Sequence, residues 1–313
     1  MSGGGVIEAT AALLGGSAER DAPLGALTTY RVGGPAALLV RPAGDDELRR
    51  VTDAVVATGI DVLVVGKGSN LLVADAGFSG LAVVLGDAFA GIAVDGTQVE
   101  AGAAAALPVV ARRSVAAGLT GFEWAVGVPG SVGGAVRMNA GGHGSDMAAV
   151  LAGVRVVDLR SGEDGWVPAA DLHLGYRTSS LAPHHLVVAA RLALRSGDEA
   201  RGLQELAEIV AWRRTNQPGG PNAGSVFTNP PGDSAGRLIE EAGGKGRRRG
   251  TAAVSTKHAN FIQADEGGCA DDVRALMGEL QELVRAASGV ELHPETRLVG
   301  FGQDADPRPD IEG

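Results

Sequence analysis

The stretch that decides the fold runs from Val62 to Leu85 and reads VLVVGKGSNLLVADAGFSGLAVVL. A short apolar strand, Val62–Val65, leads into a glycine loop at Gly66–Asn70. In a Rossmann unit such a loop opens a helix, and the pyrophosphate lies on the N-terminus of that helix. Here Asp75 and Gly77 follow instead and predict turns between short strands. The stretch therefore argues against a Rossmann dinucleotide-binding unit.

The glycine pattern of this loop points the same way. Leu71 occupies the place of the third glycine of G-x-G-x-x-G, and Lys67 lacks the upstream glycine spacing of a P-loop. Alone, the loop is as consistent with a simple strand-to-strand turn as with a ligand site. Successive backbone amides in such a turn can nevertheless form a concavity that suits a pyrophosphate.

The segments around this stretch alternate between strand and helix patterns. Upstream, Thr28–Val40 is β-like, and a helix begins at the acidic Asp45 and stops at Gly59. Downstream come a helix, a glycine-dense stretch and two strands, at Pro108–Ala117, Gly127–Gly142, 152–160 and 185–195. A second part begins with a helix at Gly202–Arg214, whose apolar face is Leu203, Leu206, Ile209 and Val210. It continues with a short helix ending at Gly243-Gly244, a long helix at Asp271–Ala287 and a last strand at Val290–Gly300.

Composition narrows the class of protein. The chain has 313 residues, 45% hydrophobic and 20% charged, which is ordinary for a globular protein of about two domains. The net charge of −10 argues against nonspecific nucleic-acid binding. Cys269 is the only cysteine, so an intrachain disulfide and a cysteine-based metal site are excluded, and no metal site is predicted. This use of cysteine indicates a reducing compartment, so we expect a cytoplasmic protein. The first 20 residues do not fit a signal peptide, and no apolar run fits a membrane span.

A series of motifs resembles one family of enzymes. They occur in order as TTYRVGGPA, GKGSNLLVADAGF, GVPGSVGGAVRMNAGGHG, GYRTSS, NAGSVFTNP, AGRLIEEAGGKG, VSTKHANFI and LHPETRLVG, from about Thr28 to Gly300. The chain resembles the UDP-N-acetylenolpyruvoylglucosamine reductases (MurB), flavoenzymes of peptidoglycan precursor synthesis, in their shorter type II form. The resemblance implies an α+β fold, with an FAD-binding domain of the p-cresol methylhydroxylase and vanillyl-alcohol oxidase type followed by a smaller α+β substrate-binding domain.

The domain boundaries follow from this resemblance. We predict an FAD-binding domain at 25–198, with subdomains at about 25–85 and 86–198, and a substrate-binding domain at 199–302. Flexible tails are expected at 1–24 and 303–313.

The resemblance also implies the cofactors and the residues that hold them. FAD is expected on both glycine stretches, at Gly66, Lys67, Gly68, Ser69, Asn70, Gly127, Pro129, Gly130, Ser131, Gly133, Gly134 and Asn139. No histidine lies in the first loop, so we expect the FAD to be noncovalent, with NADPH as co-substrate.

Three residues carry the chemistry that the resemblance implies. Arg177 is matched to a forked donor for the substrate carboxylate, Glu295 to an acid that stabilises the intermediate, and Ser225 to the proton donor. Outside that frame they fit a surface ion pair, an edge-strand charge and a turn. The resemblance implies that Tyr176, Asn229, Lys257 and His258 bind the UDP-sugar. For His258 the alternative is a structural hydrogen bond, which we prefer.

Departures from the family pattern keep alternatives open. Thr228 stands where many members have lysine, Gly142-His143 replaces the usual Ala-Tyr, and leucine is missing at Gly243–Lys245. The basic run Lys245–Arg249 fits either a phosphate-attracting loop or a solvated one. The alternatives are a flavoprotein of the same superfamily with another acceptor, and a catalytically silent nucleotide-binding paralogue. As partners we expect the UDP-sugar and NADPH but neither nucleic acid nor membrane, in a monomer or weak homo-oligomer.

Overall fold

The computed structural model describes residues 3–302 and combines helices with several small sheets. The α-helices are α1 Gly3–Leu14, α2 Asp45–Thr58, α3 Leu107–Ala116, α4 Val132–Arg137, α5 Glu199–Asn216, α6 Ala235–Glu241 and α7 Ala270–Ser288. The first nine strands are β1 Ala18–Ala22, β2 Ala36–Val40, β3 Val62–Val65, β4 Leu71–Val73, β5 Phe78–Val84, β6 Ile92–Asp95, β7 Gln98–Gly102, β8 Leu119–Thr120 and β9 Gly141–Gly142. The others are β10 Ser145–Asp146, β11 Leu151–Asp158, β12 Asp164–Pro168, β13 His185–Ala193, β14 Arg195–Ser196, β15 Arg248–Arg249, β16 Ala252–Val254, β17 Ile262–Ala264 and β18 Arg297–Val299.

The chain forms two compact units that are discontinuous in sequence. Unit 1 contains residues 1–20, 37–67 and 79–213, and unit 2 contains 21–36, 68–78 and 214–313. Unit 2 thus includes two short segments, 21–36 and 68–78, that precede most of unit 1 in the chain. The domain boundaries at 25–198 and 199–302 stay a prediction.

Unit 1 is built around two sheets. Strands β1-β2-β5-β3 form the first, in which β3 and β5 are parallel, and β12-β11-β13-β7-β6 form the second, which is antiparallel. Buried aliphatic side chains of α2, including Val51 and Val55, belong to the same core cluster as Leu38 and Leu81 of the first sheet. The helix ends at Gly59, whose φ of 65° is the left-handed conformation that glycine tolerates at a helix stop.

Unit 2 has its core between α6, α7 and the sheet β15-β16-β17. The buried stripe of α7 is Val273, Leu276, Met277, Leu280 and Val284, as its spacing predicted. Strand β4, which leaves the first glycine loop, pairs in parallel with β18, with Leu71 opposite Arg297. This pairing places the exit of the glycine loop beside the HPETRLVG motif.

The N-terminal expectation is wrong. We expected a flexible tail at 1–24, but Gly3–Leu14 is a helix and Ala18–Ala22 a strand. Thr10, Ala11 and Leu14 are buried, because this helix packs against α2. The expected tail at 303–313 lies outside the described residues.

Two other elements differ in extent. The strand expected at Thr28–Val40 begins only at Ala36, because the Thr28 hydroxyl donates to the Gly25 carbonyl and accepts from the Arg31 amide, which favours a turn. The last strand is limited to Arg297–Val299.

The buried face of α5 also differs from the prediction. Gly202, Leu206 and Ile209 are buried, whereas Leu203 and Val210 are 51% and 38% exposed. A Cβ on Gly202 would lie 2.8 Å from Val115 Cγ1 of α3, so the helices approach each other through a residue without a side chain. The spacing of apolar side chains does not predict such a contact, because glycine has no side chain.

Candidate active site

Ser225 and Glu295 lie on two neighbouring segments of unit 2. Phe227 and Pro294 form an antiparallel bridge, and the Glu295 amide donates to the Val226 carbonyl at 2.8 Å. The Thr228 amide donates to the His293 carbonyl at 3.0 Å and extends the same pairing. Residues far apart in the sequence are therefore brought together by backbone hydrogen bonds. Both Ser225 and Glu295 are partly exposed.

Asn70 connects the first glycine loop to the segment that contains Glu295. Its Nδ2 donates to the Glu295 carbonyl at 3.0 Å, and its own carbonyl accepts from the Arg297 amide at 2.9 Å. The side chain expected to hold cofactor thus fixes the backbone of a candidate catalytic residue.

Arg177 lies in unit 1, at the tip of a tight turn. Gly175 and Thr178 exchange both backbone hydrogen bonds, at 3.1 and 3.3 Å, and Arg177 between them has φ of +58°. A left-handed residue at the third position of a turn is ordinarily glycine or asparagine. Arg177 Nη2 donates to the Gly141 carbonyl at 3.1 Å, and the guanidinium carbon lies 5.1 Å from the centre of the Tyr176 ring. The conformation is strained, and strain of this kind concentrates at functional sites.

Asn139 anchors that turn. Its buried amide donates to the Gly175 carbonyl at 2.9 Å and to the Asp146 carboxylate at 3.2 Å, and its Oδ1 accepts from the Ala148 amide at 2.9 Å. Both amide hydrogens are thus used within unit 1. The side chain that we expected to contact FAD holds the Arg177 turn in place.

The two glycine loops touch each other in unit 1. A Cβ on Gly66 would lie 2.4 Å from Ser131 Oγ, so a larger residue there would require the Ser131 side chain to move. Ser131 Oγ also accepts from the Gly134 amide at 3.4 Å at the start of α4. The contact brings the Gly66 and Ser131 segments together, and Lys67, which follows Gly66, is exposed. Backbone N–H groups of such glycine turns, a serine hydroxyl and a lysine are the types of donor that suit a pyrophosphate. The residues present fit FAD.

Other glycines of the expected cofactor set serve packing. Gly68 is buried with φ of +63°, and a Cβ there would lie 2.3 Å from the Leu27 carbonyl oxygen within unit 2. A Cβ on Gly127 would lie 2.8 Å from Ile209 Cγ2 of α5, and one on Gly133 would lie 3.0 Å from Ala103 Cβ. Gly134 and Pro129 are exposed, and Gly130 has φ of +147°. Ser69 is partly exposed.

The four residues expected to bind the UDP-sugar have diverse surroundings. Tyr176 is 60% exposed. Asn229 Oδ1 accepts from the Ala235 amide at 3.1 Å and so caps α6, while the Lys257 ammonium donates to the Arg214 carbonyl at 2.5 Å. His258 Nδ1 accepts from the Asn260 amide at 3.2 Å, and burial lowers the pKa of its ring. The geometry of His258 suits the structural hydrogen bond.

The basic run, whose role the sequence leaves open, is exposed. Within the basic run, Lys245 pairs with Glu240 at 2.8 Å, Arg249 pairs with Glu279 at 2.9 Å, and Arg248 pairs with Asp265. These ion pairs favour the solvated-loop interpretation.

Asp158, His184 and His185 form one cluster of metal-ligand type among residues 3–302. His185 Nδ1 accepts from the Ala182 amide at 3.0 Å, so the neutral ring carries its hydrogen on Nε2, and we propose no metal there.

Sequence reasoning missed two side chains that build this region. Asn260, in the HANFI motif, pairs with the backbone of Phe227, and Asp75 caps α7 from the loop after β4. Both contacts join residues that are far apart in the chain, so no local sequence pattern predicts them.

Comparisons with known proteins identify the family of the chain. The family described as "FAD binding domain" matches residues 36–164, and the family described as "UDP-N-acetylenolpyruvoylglucosamine reductase, C-terminal domain" matches residues 215–299. A reductase of that name from Rubrobacter xylanophilus is 41% identical over 91% of this chain and 96% of its own length. One from Heliobacterium modesticaldum is 44% identical over 89% of each. The crystal structure of MurB from Thermus caldophilus matches with a TM-score of 0.80 and 37% identity over 90% of this chain and 98% of its own.

The fold and the glycine loops, together with these matches, define an FAD-dependent oxidoreductase with a distinct C-terminal domain. The chain belongs to the UDP-N-acetylenolpyruvoylglucosamine reductase family. The family resemblance and the α+β fold class predicted from the motifs are confirmed, as is FAD as the cofactor. No helix within residues 3–302 has the length and apolarity needed to cross a membrane.

Proposed function

We propose that the protein reduces UDP-N-acetylglucosamine enolpyruvate to UDP-N-acetylmuramate with NADPH as reductant. The family and the fold support this reaction. The observation that carries it at the level of residues is the pairing of the Ser225 and Glu295 segments in unit 2. Hydride is added to the terminal carbon of the enolpyruvyl double bond, and a proton is added to the carbon beside the carboxylate.

Ser225 is the proton donor in this proposal. A serine hydroxyl is a weak acid at neutral pH, so it requires a fixed position and a partner such as water through which its proton is replaced. The backbone supplies the position, because Gly224 before it has φ of +76° and Val226 after it is hydrogen-bonded to Glu295.

Glu295 and Arg177 act on the charge that develops beside the substrate carboxylate. Arg177 offers a planar fork of N–H donors that matches a carboxylate, and the hydrogen bond from Nη2 to the Gly141 carbonyl orients that fork. Glu295 organises a proton near the developing enolate, where preorganised groups act most strongly. The Asn70 side-chain amide donates to the Glu295 carbonyl at 3.0 Å and so holds the Glu295 backbone.

Bound FAD would supply the redox chemistry that links hydride from NADPH to reduction of the substrate. Gly66, Lys67 and Ser131, where the two glycine loops touch, would hold its pyrophosphate. The other residues proposed to bind FAD are those expected from the sequence, at Gly68, Ser69, Asn70, Gly127, Pro129, Gly130, Gly133, Gly134 and Asn139. Among the residues proposed for the UDP-sugar, Tyr176 is 60% exposed and offers an aromatic ring, which the Arg177 guanidinium faces at 5.1 Å.

An anaerobic stopped-flow experiment tests the proposed function. The purified yellow protein is reduced with one equivalent of NADPH and then mixed with UDP-N-acetylglucosamine enolpyruvate while flavin absorbance is followed. We expect rapid reoxidation and a product two mass units heavier than the substrate. Reduction by NADPH without reoxidation would support a flavoprotein with another acceptor, and failure of both steps would support the silent paralogue.

Location and assembly belong to the same proposal. We propose a cytoplasmic enzyme, where NADPH and UDP-sugars are made, present as a monomer or weak homo-oligomer. Sedimentation velocity over a hundredfold range of protein concentration tests the assembly state, and a concentration-independent dimer would contradict it.

A further inference from the structure

Asn260 makes an unusual pair of hydrogen bonds with one residue. Its Oδ1 accepts from the Phe227 amide at 3.0 Å, and its Nδ2 donates to the Phe227 carbonyl at 2.8 Å. In addition, its backbone carbonyl accepts from the Val226 amide at 2.9 Å. The residue is 3% exposed. Its side chain therefore takes the place of a neighbouring strand along Val226–Phe227.

The other side of the same segment is paired with the Glu295 segment. The Val226 carbonyl accepts from the Glu295 amide at 2.8 Å, and Phe227 bridges to Pro294. Segment 226–228 thus lies between Asn260 on one side and residues 293–295 on the other. A shift of this segment would move Ser225 and Glu295 relative to each other.

A second asparagine holds the segment before Ser225. Asn222 Oδ1 accepts from the Gly224 amide at 3.0 Å, and its Nδ2 donates to the Gly220 carbonyl at 2.9 Å. Ser225 is therefore flanked by two asparagine contacts, one on the residue before it and one on the second residue after it.

The amide at position 260 lies among apolar side chains and pairs with the buried Phe227 backbone, which an aliphatic residue would leave without these two hydrogen bonds. Val226, Phe227, Ala259 and Ile262 around it belong to the buried apolar cluster of unit 2, where an aliphatic residue would pack well. Burying an amide is costly unless every hydrogen bond is made. When they are made, as here, the amide fixes one arrangement of the backbone that an aliphatic side chain would leave free.

We propose that Asn260 is a positioning residue, which holds the Ser225 hydroxyl and Glu295 in register for protonation of the substrate carbon. This inference rests on the proposed function of Ser225. Asn260 itself acts through the backbone of Val226 and Phe227, and Asn222 assists from the other end of the segment.

The test compares the two half-reactions in Asn260→Asp. At neutral pH the introduced carboxylate keeps an acceptor for the Phe227 amide but loses the donor and faces the Phe227 carbonyl. Reoxidation by the enolpyruvyl substrate should slow by about 10²-fold, which is typical of a misplacement near 1 Å, while reduction by NADPH stays within twofold of wild type. Because burial raises a carboxyl pKa, mild acid should protonate the introduced carboxylate, restore a donor and recover reoxidation several-fold.

A matched control is Thr251→Val in the same unit. The Thr251 hydroxyl donates to Asp272 at 2.8 Å and accepts from the Cys269 amide at 2.8 Å, so this variant also loses two hydrogen bonds. It should leave both half-reactions unchanged. Asn222→Ala, a partly exposed site, should slow the same half-reaction as Asn260→Asp and serves if that variant does not fold.

Hydrogen–deuterium exchange gives a readout that does not depend on turnover. Asn260→Asp should speed exchange in peptides covering 225–228 and 293–297, and Thr251→Val should not. Unchanged exchange in Asn260→Asp, or equal slowing of both half-reactions, would overturn the proposal. If wild type itself is not reoxidised by the enolpyruvyl ether, the proposed function fails, while altered exchange would still establish the positioning contact.

Discussion

At the scale of single residues, Arg177 has a strained backbone conformation and is the residue proposed to bind the substrate carboxylate. Its φ of +58° costs about 1 kcal/mol or more for a residue with a Cβ. Arg177→Gly relieves that strain but frees the unfolded chain, so we expect the free energy of unfolding to change by less than about 1 kcal/mol. The same variant should lower kcat/KM about 10–10²-fold or more, because hydrogen bonds to charged groups are worth about 1.5–3 kcal/mol.

His173→Gly is the matched control for this prediction. His173 has φ of +42° at the end of a short 3₁₀ helix in the same unit. Its replacement should leave kcat/KM unchanged, with a similarly small effect on urea unfolding. Retained activity in Arg177→Gly would remove Arg177 from the proposed chemistry.

The residues of the candidate site were predictable only where a motif carried them. Ser225, Glu295 and Arg177 stood out through their family motifs. The roles of Asn139 and Asn70 could not be inferred, because each depends on a carbonyl in a distant segment. Asn260 was hidden for the same reason, since its partner is 33 residues away.

At the scale of elements, Asp75 caps helix α7 from outside the helix. Its carboxylate accepts from the Ala270 and Asp271 amides, both at 3.0 Å, and from the Cys269 thiol at 2.7 Å. Burial tends to raise the pKa of Asp75, but the hydrogen bonds from Cys269, Asp271 and Ala270 outweigh it and lower that pKa. The charged form is thus stabilised in the folded protein.

Asp75→Ala should lower the free energy of unfolding by about 1–2 kcal/mol at pH 7, the cost of a lost helix cap. A carboxyl with a lowered folded-state pKa stabilises above its unfolded value and loses this effect as pH falls through the folded value. The difference from wild type in urea unfolding should therefore shrink below about pH 3.9. Asp75→Asn keeps an acceptor oxygen and should be milder. An equal difference at all pH values would contradict the cap.

Two helix glycines give an opposed pair of predictions. A Cβ on Gly202 of α5 would lie 2.8 and 3.1 Å from the methyl carbons of Val115, whereas one on Gly278 of α7 would meet only Arg274 Nη1, at 3.7 Å. Gly202→Ala should destabilise by about 1–3 kcal/mol through overpacking. Gly278→Ala should stabilise by up to about 1 kcal/mol through helix propensity. Denaturant unfolding of both checks this, and a stabilising Gly202→Ala would contradict the packing of α5 on α3.

The same helices show what sequence patterns can predict. Apolar spacing located α2, α3 and α7 to within one or two residues, because each has one side-chain stripe facing a core. It predicted α5 and the burial of Leu206 and Ile209 but not the contact made by Gly202, and it did not predict α1, whose start is rich in glycine.

At the scale of the whole molecule, the interleaved units could not be read from the sequence. Segment 68–78 belongs with 214–302 because β4 pairs in parallel with β18, and segment 21–36 belongs there because Tyr30 and Val32 lie in the buried cluster of unit 2. Contiguous boundaries were therefore the natural expectation.

The whole molecule should hold FAD without a covalent bond. No histidine lies in the first glycine loop, and the Cys269 thiol donates to Asp75, which raises the pKa of that thiol and disfavours the nucleophilic thiolate. Acid precipitation should release all the yellow colour into the supernatant. Colour retained in the washed pellet would contradict this prediction.

The most direct test of the central claim is a comparison of half-reactions in Ser225→Ala. Reduction by NADPH should stay close to wild type, since that step precedes carbon protonation, while reoxidation by the enolpyruvyl substrate should slow by about 10²–10⁴-fold. Ser225→Cys, with a more acidic thiol, should recover part of the loss. Equal slowing of both half-reactions in Ser225→Ala would mean that Ser225 shapes the fold or the cofactor site, and it would contradict its assignment as proton donor.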